Sequence, residues 1–334
     1  MWLRILAALV VIGLGVVAAE VAWDAWTPTE TLQRGAAIVE IPAHEGTLEI
    51  AQRLTQAGVV RSRWGLLVLA AARGSLRSLK AGEYEFPQGA TPLAALALVE
   101  TGRVRQHAVL HPEGATVAEL ARLLGSERLA TSDEILRVGA DPGFLRAHGI
   151  TAPSVEGYLF PDTYYFVKGM RPDEMLGRMV QRLRAKLGPE IEARARERGL
   201  TLHQLLTLAS IIEREAVLPE EARMIAGVFW NRLKRAMPLQ ADPTVQYAVG
   251  KERRTLTRAD LATDHPFNTY RNPGLPPGPI ASPGLRAIDA ALDPAAVPYL
   301  YFVAIDERRH HFSTTVEEHN AAVARYRSSR ANAR

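Results

Sequence analysis

Two carboxylates close the most apolar helical stretch of this chain. Eight largely apolar residues, Leu205 to Ile212, run without Gly or Pro directly into Glu213 and Glu215. The run lacks a two-residue alternation, so it predicts a helix that is buried on most sides. Apolar surroundings disfavour the charged form of a carboxyl group and raise its pKa, which is what a general acid requires at neutral pH. The alternative is that both residues mark where a core helix emerges into solvent.

The two glutamates cannot serve one site interchangeably. Residues two apart on an α-helix point about 200° away from each other, so both cannot face one cleft. Glu213 shares its stripe with small residues that leave room for a substrate, whereas Glu215 lies over Ile211 and Ile212. This difference modestly favours Glu213 as the acid.

Composition limits the kinds of chemistry that are open to the chain. Its 334 residues, 47% of them hydrophobic and 23% charged, suffice for two domains or three small ones with a core. The net charge of +4 suits an anionic cell-wall or membrane surface as well as nucleic acid. Cysteine is absent, which excludes disulfides, thiolate zinc sites and cysteine nucleophiles. Neither a G-x-S-x-G nor a P-loop motif is present.

The N-terminal segment predicts a transmembrane anchor over residues 1–26. Ile5 to Ala19 is uninterrupted apolar or Gly sequence, close to the roughly 20 residues that cross a bilayer. Arg4 precedes this stretch, and Glu20 and Asp24 follow it, which predicts a cytoplasmic N-terminus. The chain is therefore expected in the cell membrane as a single-pass protein with an extracytoplasmic, periplasmic catalytic domain. A cleaved signal peptide is the alternative.

The rest of the chain predicts an α+β protein with small βα modules before a mixed α+β catalytic domain. A pattern of strand, Pro, Glu-Gly, Thr and helix occurs twice, near residues 38–57 and 107–124. We interpret this repeat as small LysM-like modules that bind glycan, or as a spacer without a ligand. The predicted domains are a linker (27–37), a LysM-like βα region (38–150), a catalytic domain (151–327) and a basic tail (328–334).

Seven motifs, taken in order, resemble the YceG-like family of endolytic murein transglycosylases. They span about residues 38–327, although the part before Gln106 matches in pattern more than in residue identity. Arg214, where the family often has Lys, and Ala241, where it often has Thr or Ser, depart mildly from the family pattern. The motifs are Ala209 to Glu215, Glu156 to Tyr164, Leu239 to Val245, Asn268 to Tyr270, Gly274 to Ile280, Tyr299 to Val303 and His310 to Ser313.

This resemblance implies an enzyme that cleaves the β-1,4 bond between N-acetylmuramic acid and N-acetylglucosamine and leaves a 1,6-anhydro end. It assigns the catalytic role to Glu213, which would protonate the glycosidic oxygen and then accept the proton of the muramyl C6 hydroxyl. We expect further side chains to position the substrate, each with an alternative as a turn or packing residue. These are Glu156, Tyr158, Asp162, Ser210, Gln240, Asp242, Thr244, Asn268 and Tyr270.

The expected partners are peptidoglycan glycan strands, and termination of nascent strand growth is the expected role. Peptidoglycan synthases and elongation or division proteins are further candidate partners. We expect no cofactor, no metal and no nucleic acid. Two alternatives stay open: a non-catalytic wall-binding scaffold, and a muramidase that uses water with Asp242 or Glu156 as its second carboxylate.

Overall fold

The computed structural model describes residues 2–251, 254–306 and 308–332, and the chain divides into two compact units. The first unit holds the chain up to Ala108 together with Tyr165–Met170, and the second holds the rest. The predicted boundary at residue 150 thus falls inside the second unit. Helices predominate and each sheet has two strands, in agreement with the predicted α+β character.

The first unit is built around an antiparallel strand pair covered by helices. Ala37 pairs with Phe86, and the register continues to Ile41 opposite Gly82. Alternate residues of both strands, including Val39 and Tyr84, point into the core, as the two-residue period of a strand requires. The elements of this unit are α1 (Trp2–Trp26), α2 (Glu30–Arg34), β1 (Ala37–Ile41), α3 (Thr47–Gln56), α4 (Arg63–Ala72), β2 (Gly82–Phe86) and α5 (Pro92–Thr101).

The predicted membrane anchor is not supported by the structure. Within the part of the chain that the structure describes, no helix is both long enough and apolar enough to cross a bilayer. This finding overturns the predicted transmembrane segment, and with it the predicted location as a single-pass protein of the cell membrane. The last turn of α1 packs instead within the first unit, where Ala25 is buried and Asp24 forms an ion pair with Arg61 at 3.1 Å.

The second unit is mainly helical and contains the predicted catalytic helix. Besides β1–β2, the described residues form the two-stranded sheets β3–β4 and β5–β6, and the latter is antiparallel. The remaining elements are β3 (Gln106–His111), α6 (Val117–Ser126), α7 (Ser132–Gly139), α8 (Pro142–Ala147), β4 (Asp162–Val167), α9 (Pro172–Glu197), α10 (Leu202–Glu215), α11 (Ala222–Lys234), α12 (Asp242–Ala248), α13 (Arg258–Leu261), α14 (Leu285–Leu292), β5 (Tyr301–Ala304), β6 (His310–Ser313) and α15 (Val316–Asn332).

The predicted βα repeat corresponds to β1 with α3 and to β3 with α6. Thr116 forms a capping box with Glu119 at the start of α6, which satisfies backbone N–H groups that a helix N-terminus leaves free. The LysM-like character of these modules stays a prediction. The predicted basic tail is helical up to Asn332, and Ala333 and Arg334 lie outside the described residues.

Helix α10 lies at the centre of the second unit. It begins after Thr201, which forms a capping box with Gln204, and it ends at Glu215, because the backbone of Ala216 is extended. All residues from Leu205 to Ile212 are buried, as the apolar run predicted. The helix packs against α14, α11, α12 and α9.

A proline-rich loop, residues 274–283, crosses the side of α10, and we call it the proline loop. The buried Ser210 hydroxyl accepts a hydrogen bond from the backbone N–H of Ile280 at 3.0 Å. On the other side of the loop, Gly157 has a φ of +78°, and a Cβ there would lie 2.2 Å from Cβ of Pro279. Only glycine satisfies both the left-handed backbone and this close approach.

We predict that Gly157→Ala destabilises the protein more than Gly199→Ala. Both glycines have a left-handed backbone, with φ of +78° and +73°, but nothing lies within 4 Å of a Cβ at Gly199. The matched Gly199 variant should therefore cost about 1 kcal/mol through backbone strain alone. The clash with Pro279 should add about 1–3 kcal/mol in Gly157→Ala. Urea unfolding measures both, and equal losses would show that the proline loop does not approach Gly157.

Candidate active site

The side chain of Glu215 is at the C-terminal end of α10 and is half-buried. The free carbonyl groups at a helix C-terminus disfavour a negative charge nearby. Burial, and then the charge of Asp242, raise the pKa of the Glu215 carboxyl to about 8 against the opposing charges of Arg232 and Arg214. Glu215 therefore holds its proton at neutral pH, as a general acid requires.

A carboxylate and a phenol accompany Glu215. The Tyr270 hydroxyl donates a hydrogen bond of 2.6 Å to Oδ1 of Asp242, the first residue of α12. Burial, and then the negative charge of Asp242, raise the pKa of the Tyr270 phenol, and Glu215 also contributes. Asp242 and Tyr270 thus belong to the electrostatic surroundings of Glu215, and both were among the predicted substrate-binding residues.

Hydrogen bonds to Thr269 fix the segment that carries Asp242. The Thr269 hydroxyl accepts from the backbone N–H of Ala241 at 3.0 Å and lies 2.8 Å from the Thr244 hydroxyl. The Thr269 carbonyl accepts from the backbone N–H of Gln240 at 3.1 Å. Gln240 itself has a φ of +49°, a left-handed conformation that costs about 1–2 kcal/mol for a residue other than glycine. The surrounding bonds hold the backbone of this residue, whose side chain is exposed, in a conformation that it would not adopt alone.

Arg232 is a residue of this site that the sequence analysis did not identify. Its guanidinium is buried and donates to the carbonyl oxygens of Leu300 at 2.7 Å and Leu239 at 2.5 Å. It also lies over the ring of Tyr301 at 5.4 Å. The sequence did indicate that Arg232 faces the core, because the helical period places it on the same face as the apolar Val228.

The surroundings of Glu213 are different. Its Oε2 accepts a hydrogen bond of 2.9 Å from the backbone N–H of Gly284, the residue that caps the N-terminus of α14. Burial raises the pKa of Glu213 and the charge of Glu113 raises it further, whereas the Gly284 N–H and the charge of Arg286 lower it. The two glutamates therefore face separate sets of residues, as their helical spacing predicted.

Three further predicted residues are fully buried and bonded to the backbone. Ser210 donates to the Thr207 carbonyl at 2.8 Å, in addition to its bond with the Ile280 N–H. Thr244 donates to the Ala241 carbonyl at 2.7 Å. Asn268 donates to the Leu261 and Thr263 carbonyls at 3.0 and 2.8 Å and accepts from the Tyr270 N–H at 3.0 Å. These side chains shape the loops around Glu215.

The remaining predicted residues lie in other parts of the second unit. Glu156 is buried and accepts from the Val117 N–H in the first turn of α6, with both oxygens at 3.2 Å. Asp162 forms an ion pair with Arg182 at 2.7 Å, and this arginine is the main reason why the pKa of Asp162 is lowered.

Tyr158 takes part in a hydrogen-bond chain at the other end of α10. Its hydroxyl lies 2.9 Å from Nδ1 of His203, and Nε2 of the same ring lies 2.8 Å from the Pro277 carbonyl. The carbonyl can only accept, so Nε2 carries a proton, and in the neutral ring the tyrosine hydroxyl donates to Nδ1. Burial raises the pKa of Tyr158 to about 12. This chain fastens the proline loop to the N-terminal end of α10.

The site therefore consists of a protonated carboxyl group with a carboxylate, a phenol and an exposed amide on neighbouring loops. Glu215 can donate a proton to a leaving oxygen, and the Asp242 carboxylate can stabilise positive charge that develops on a substrate. Gln240 and Tyr270 offer hydrogen bonds to polar groups such as acetamides and hydroxyls.

Comparisons with known proteins identify the family. The sequence profile of the YceG-like family matches residues 39–325. The chain belongs to the YceG-like family. This confirms the resemblance on which the sequence analysis relied.

The YceG-like chain has named relatives over nearly its full length. It is 32% identical to the endolytic murein transglycosylase of Bacillus subtilis, over 91% of the chain and 88% of that protein. It is 30% identical to the endolytic murein transglycosylase of Streptococcus pneumoniae D39, over 92% of the chain and 62% of that longer protein. A crystal structure of a YceG-like protein of Listeria monocytogenes matches with a TM-score of 0.62 and 32% identity, over 86% of this chain and 99% of that one.

We predict that Glu215→Gln stabilises the fold increasingly as the pH rises. The carboxyl has a pKa of 4.5 when unperturbed and about 8 in the folded protein, so between these values the folded state binds more protons than the unfolded state. The stability of the wild type should therefore fall through this window and level off above it, while the amide does not titrate.

Thermal unfolding from pH 5 to pH 9 measures this effect. The melting temperature of Glu215→Gln should exceed that of the wild type by several degrees at pH 8–9 and by less at pH 5. Glu220→Gln removes an exposed carboxylate from the segment after α10 and controls for the change in net charge. A difference in melting temperature between Glu215→Gln and the wild type that does not vary with pH would show that the pKa of Glu215 is not raised in the folded protein.

Proposed function

We propose that this YceG-like chain is a lytic transglycosylase that cleaves peptidoglycan glycan strands. The names of its relatives support the reaction class, since both proteins are endolytic murein transglycosylases. The chain is accordingly a lyase-type peptidoglycan enzyme. The proposed bond is the β-1,4 linkage between N-acetylmuramic acid and N-acetylglucosamine within the strand, and the proposed product carries a 1,6-anhydro end.

Glu215 is the proposed general acid, in place of the Glu213 that the sequence analysis favoured. The observation that carries this choice is the surroundings of Glu215. Its carboxyl is protonated at neutral pH, and it shares its environment with Asp242 and Tyr270. Glu213, by contrast, is bonded to the backbone of Gly284. An acid that must release and regain a proton needs a free carboxyl oxygen facing the substrate.

The proposed reaction needs one acid and no water. Glu215 donates its proton to the glycosidic oxygen as the bond from that oxygen to the anomeric carbon breaks. The muramyl C6 oxygen then attacks the anomeric carbon, and the Glu215 carboxylate accepts the proton of that hydroxyl. The proton lost in the first half is thus regained in the second. The Asp242 carboxylate stabilises the oxocarbenium-like charge between the two halves.

The proposed biological role is to end the growth of nascent glycan strands by cutting within them. Peptidoglycan synthases and proteins of elongation or division are the proposed partners. A hydrolytic muramidase is the second candidate, because Asp242 lies in the electrostatic range of Glu215 and a second carboxylate could activate water.

Exchange of each glutamate for glutamine tests the assignment of the acid. Glu215→Gln should lower the release of anhydro-muramyl ends from purified glycan strands at least about 100-fold, because the amide cannot donate the proton. Glu213→Gln keeps an oxygen that can accept from Gly284 and should retain most of the activity. The opposite pattern, in two variants that circular dichroism shows to be folded, would return the catalytic role to Glu213.

Mass spectrometry of the same products separates the two candidate reactions. Transglycosylation leaves the total mass unchanged, whereas hydrolysis adds one water for each bond that is cut. The wild type should yield anhydro ends alone, and products that carry the extra water would favour the muramidase.

We also predict that Asp242→Asn moves the alkaline limb of the pH profile of kcat/KM to lower pH. Activity of the wild type should fall as the pH rises through about 8, because kcat/KM reports the pKa of the acid in the free enzyme. The charge of Asp242 is one cause of this raised pKa, so its removal should let Glu215 lose its proton at lower pH. Tyr270→Phe is the control that removes the hydrogen bond to Asp242 and keeps the carboxylate. An alkaline limb that does not move in Asp242→Asn would show that the charge of Asp242 does not raise the pKa of the catalytic acid.

A further inference from the structure

Two distant loops are bonded to each other beside the end of α10. The backbone N–H of Gly114 donates to the Ser282 carbonyl at 2.8 Å, and the N–H of Ser282 donates to the Ala115 carbonyl at 2.9 Å. The Ser282 hydroxyl also lies 2.8 Å from Nε2 of the buried His111. Residues 111–115 and 282–284 therefore form one bonded pair, which we call the paired loops.

The last turn of α10 is bonded to both of these loops. The Gly284 N–H donates to Glu213 at 2.9 Å, and Nη1 of Arg214 donates to the Gly114 carbonyl at 3.1 Å. Nη2 of the same arginine lies 3.5 Å from the amide oxygen of Gln246 on α12, the helix that begins with Asp242. We refer to Glu213 and Arg214 with these bonds as the helix-end clamp.

The side chain of Glu113 lies against Gly284 beside the clamp. A Cβ at Gly284 would lie 1.9 Å from Oε1 of Glu113, although the backbone of this glycine is not left-handed. The exposed Glu113 carboxyl thus covers the glycine on one side, while Glu213 takes its N–H. A side chain at position 284 would have to displace the exposed side chain of Glu113.

We propose that Glu213 is a positioning residue, whose carboxylate anchors the paired loops through Gly284 and thereby fixes the direction of Glu215 two residues further on. The inference rests on the proposed role of Glu215. Glu215 is the last helical residue, and Ala216 after it is extended, so the helix itself restrains its backbone on one side only. The clamp adds a second restraint by bonding the two residues before Glu215 to the paired loops.

Two variants at Glu213 separate anchoring from chemistry. Glu213→Gln keeps the accepting oxygen, so kcat should stay within about threefold of the wild type. Glu213→Ala removes the anchor, and a misdirected Glu215 should lower kcat by about 10- to 100-fold. In this variant KM should change less than kcat, and the alkaline limb of the pH profile should still report Glu215. Glu220→Ala is the matched control for loss of a carboxylate.

Hydrogen exchange supplies a readout that does not depend on turnover. The backbone around Gly284 should exchange faster in Glu213→Ala than in the wild type, and at the wild-type rate in Glu213→Gln. Unchanged exchange and unchanged kcat in Glu213→Ala would overturn the proposal. So would a loss of kcat in Glu213→Gln as large as in Glu213→Ala with exchange intact, because the charge would then act chemically. If the wild type cleaves no glycan, exchange alone decides whether the anchor exists.

Discussion

The site depends on a carboxyl group that is held in its protonated form at the buried end of a helix. Removal of a carboxylate from water disfavours its charge, and the free carbonyl groups at a helix C-terminus disfavour it further. Glu215 experiences both effects, and Asp242 adds a like charge. Arg232 and Arg214 oppose these contributions, but the buried guanidinium of Arg232 is directed mainly to backbone carbonyl oxygens. The balance keeps a proton on Glu215 at neutral pH.

Such an environment has to be assembled from loops, because α10 covers only one side of its own terminal residue. Buried hydroxyl groups join the segments around Thr244 and Thr269 and bond the backbone of Ile280 to Ser210 of α10. An unsatisfied polar group in such a place costs about 1–3 kcal/mol. Each of these buried hydroxyls has a partner, so the loops have one well-defined arrangement. The predicted substrate-binding residues Ser210 and Thr244 are among them.

Local patterns in the sequence predicted α10 well. The apolar run of Leu205–Ile212, the absence of a helix breaker and the separation of Glu213 from Glu215 all agree with the structure. The strand–Gly–helix repeat also appears, as β1 with α3 and β3 with α6. The membrane anchor was wrong: apolar length and the flanking charges suggested it, and the sequence did not reveal that Asp24 pairs with Arg61 in the first unit.

The choice between the glutamates required long-range contacts. Glu213 meets Gly284, which is 71 positions away, and Glu215 meets the charge of Asp242. Helical spacing shows that the two side chains diverge, but it does not show which loop covers which face. The small residues beside Glu213 were interpreted as room for a substrate, whereas the structure brings the backbone of the loop before α14 to this side chain. Arg232 was missed for a similar reason, since one of its partners, the Leu300 carbonyl, is 68 positions away.

Two acids in one turn of α10 have different surroundings because each lies near a different kind of helix end. Glu213 lies at the N-terminus of α14, where the N–H of Gly284 and the dipole favour its charge. Glu215 lies at the C-terminus of α10, where the dipole and Asp242 disfavour it. Burial raises both pKa values, but only Glu213 has a backbone donor that stabilises the carboxylate. Glu213, which is bonded to a backbone N–H, is suited to hold a loop, and the protonated Glu215 is suited to give up a proton. The same helix end can therefore fix the geometry of the site and supply its acid.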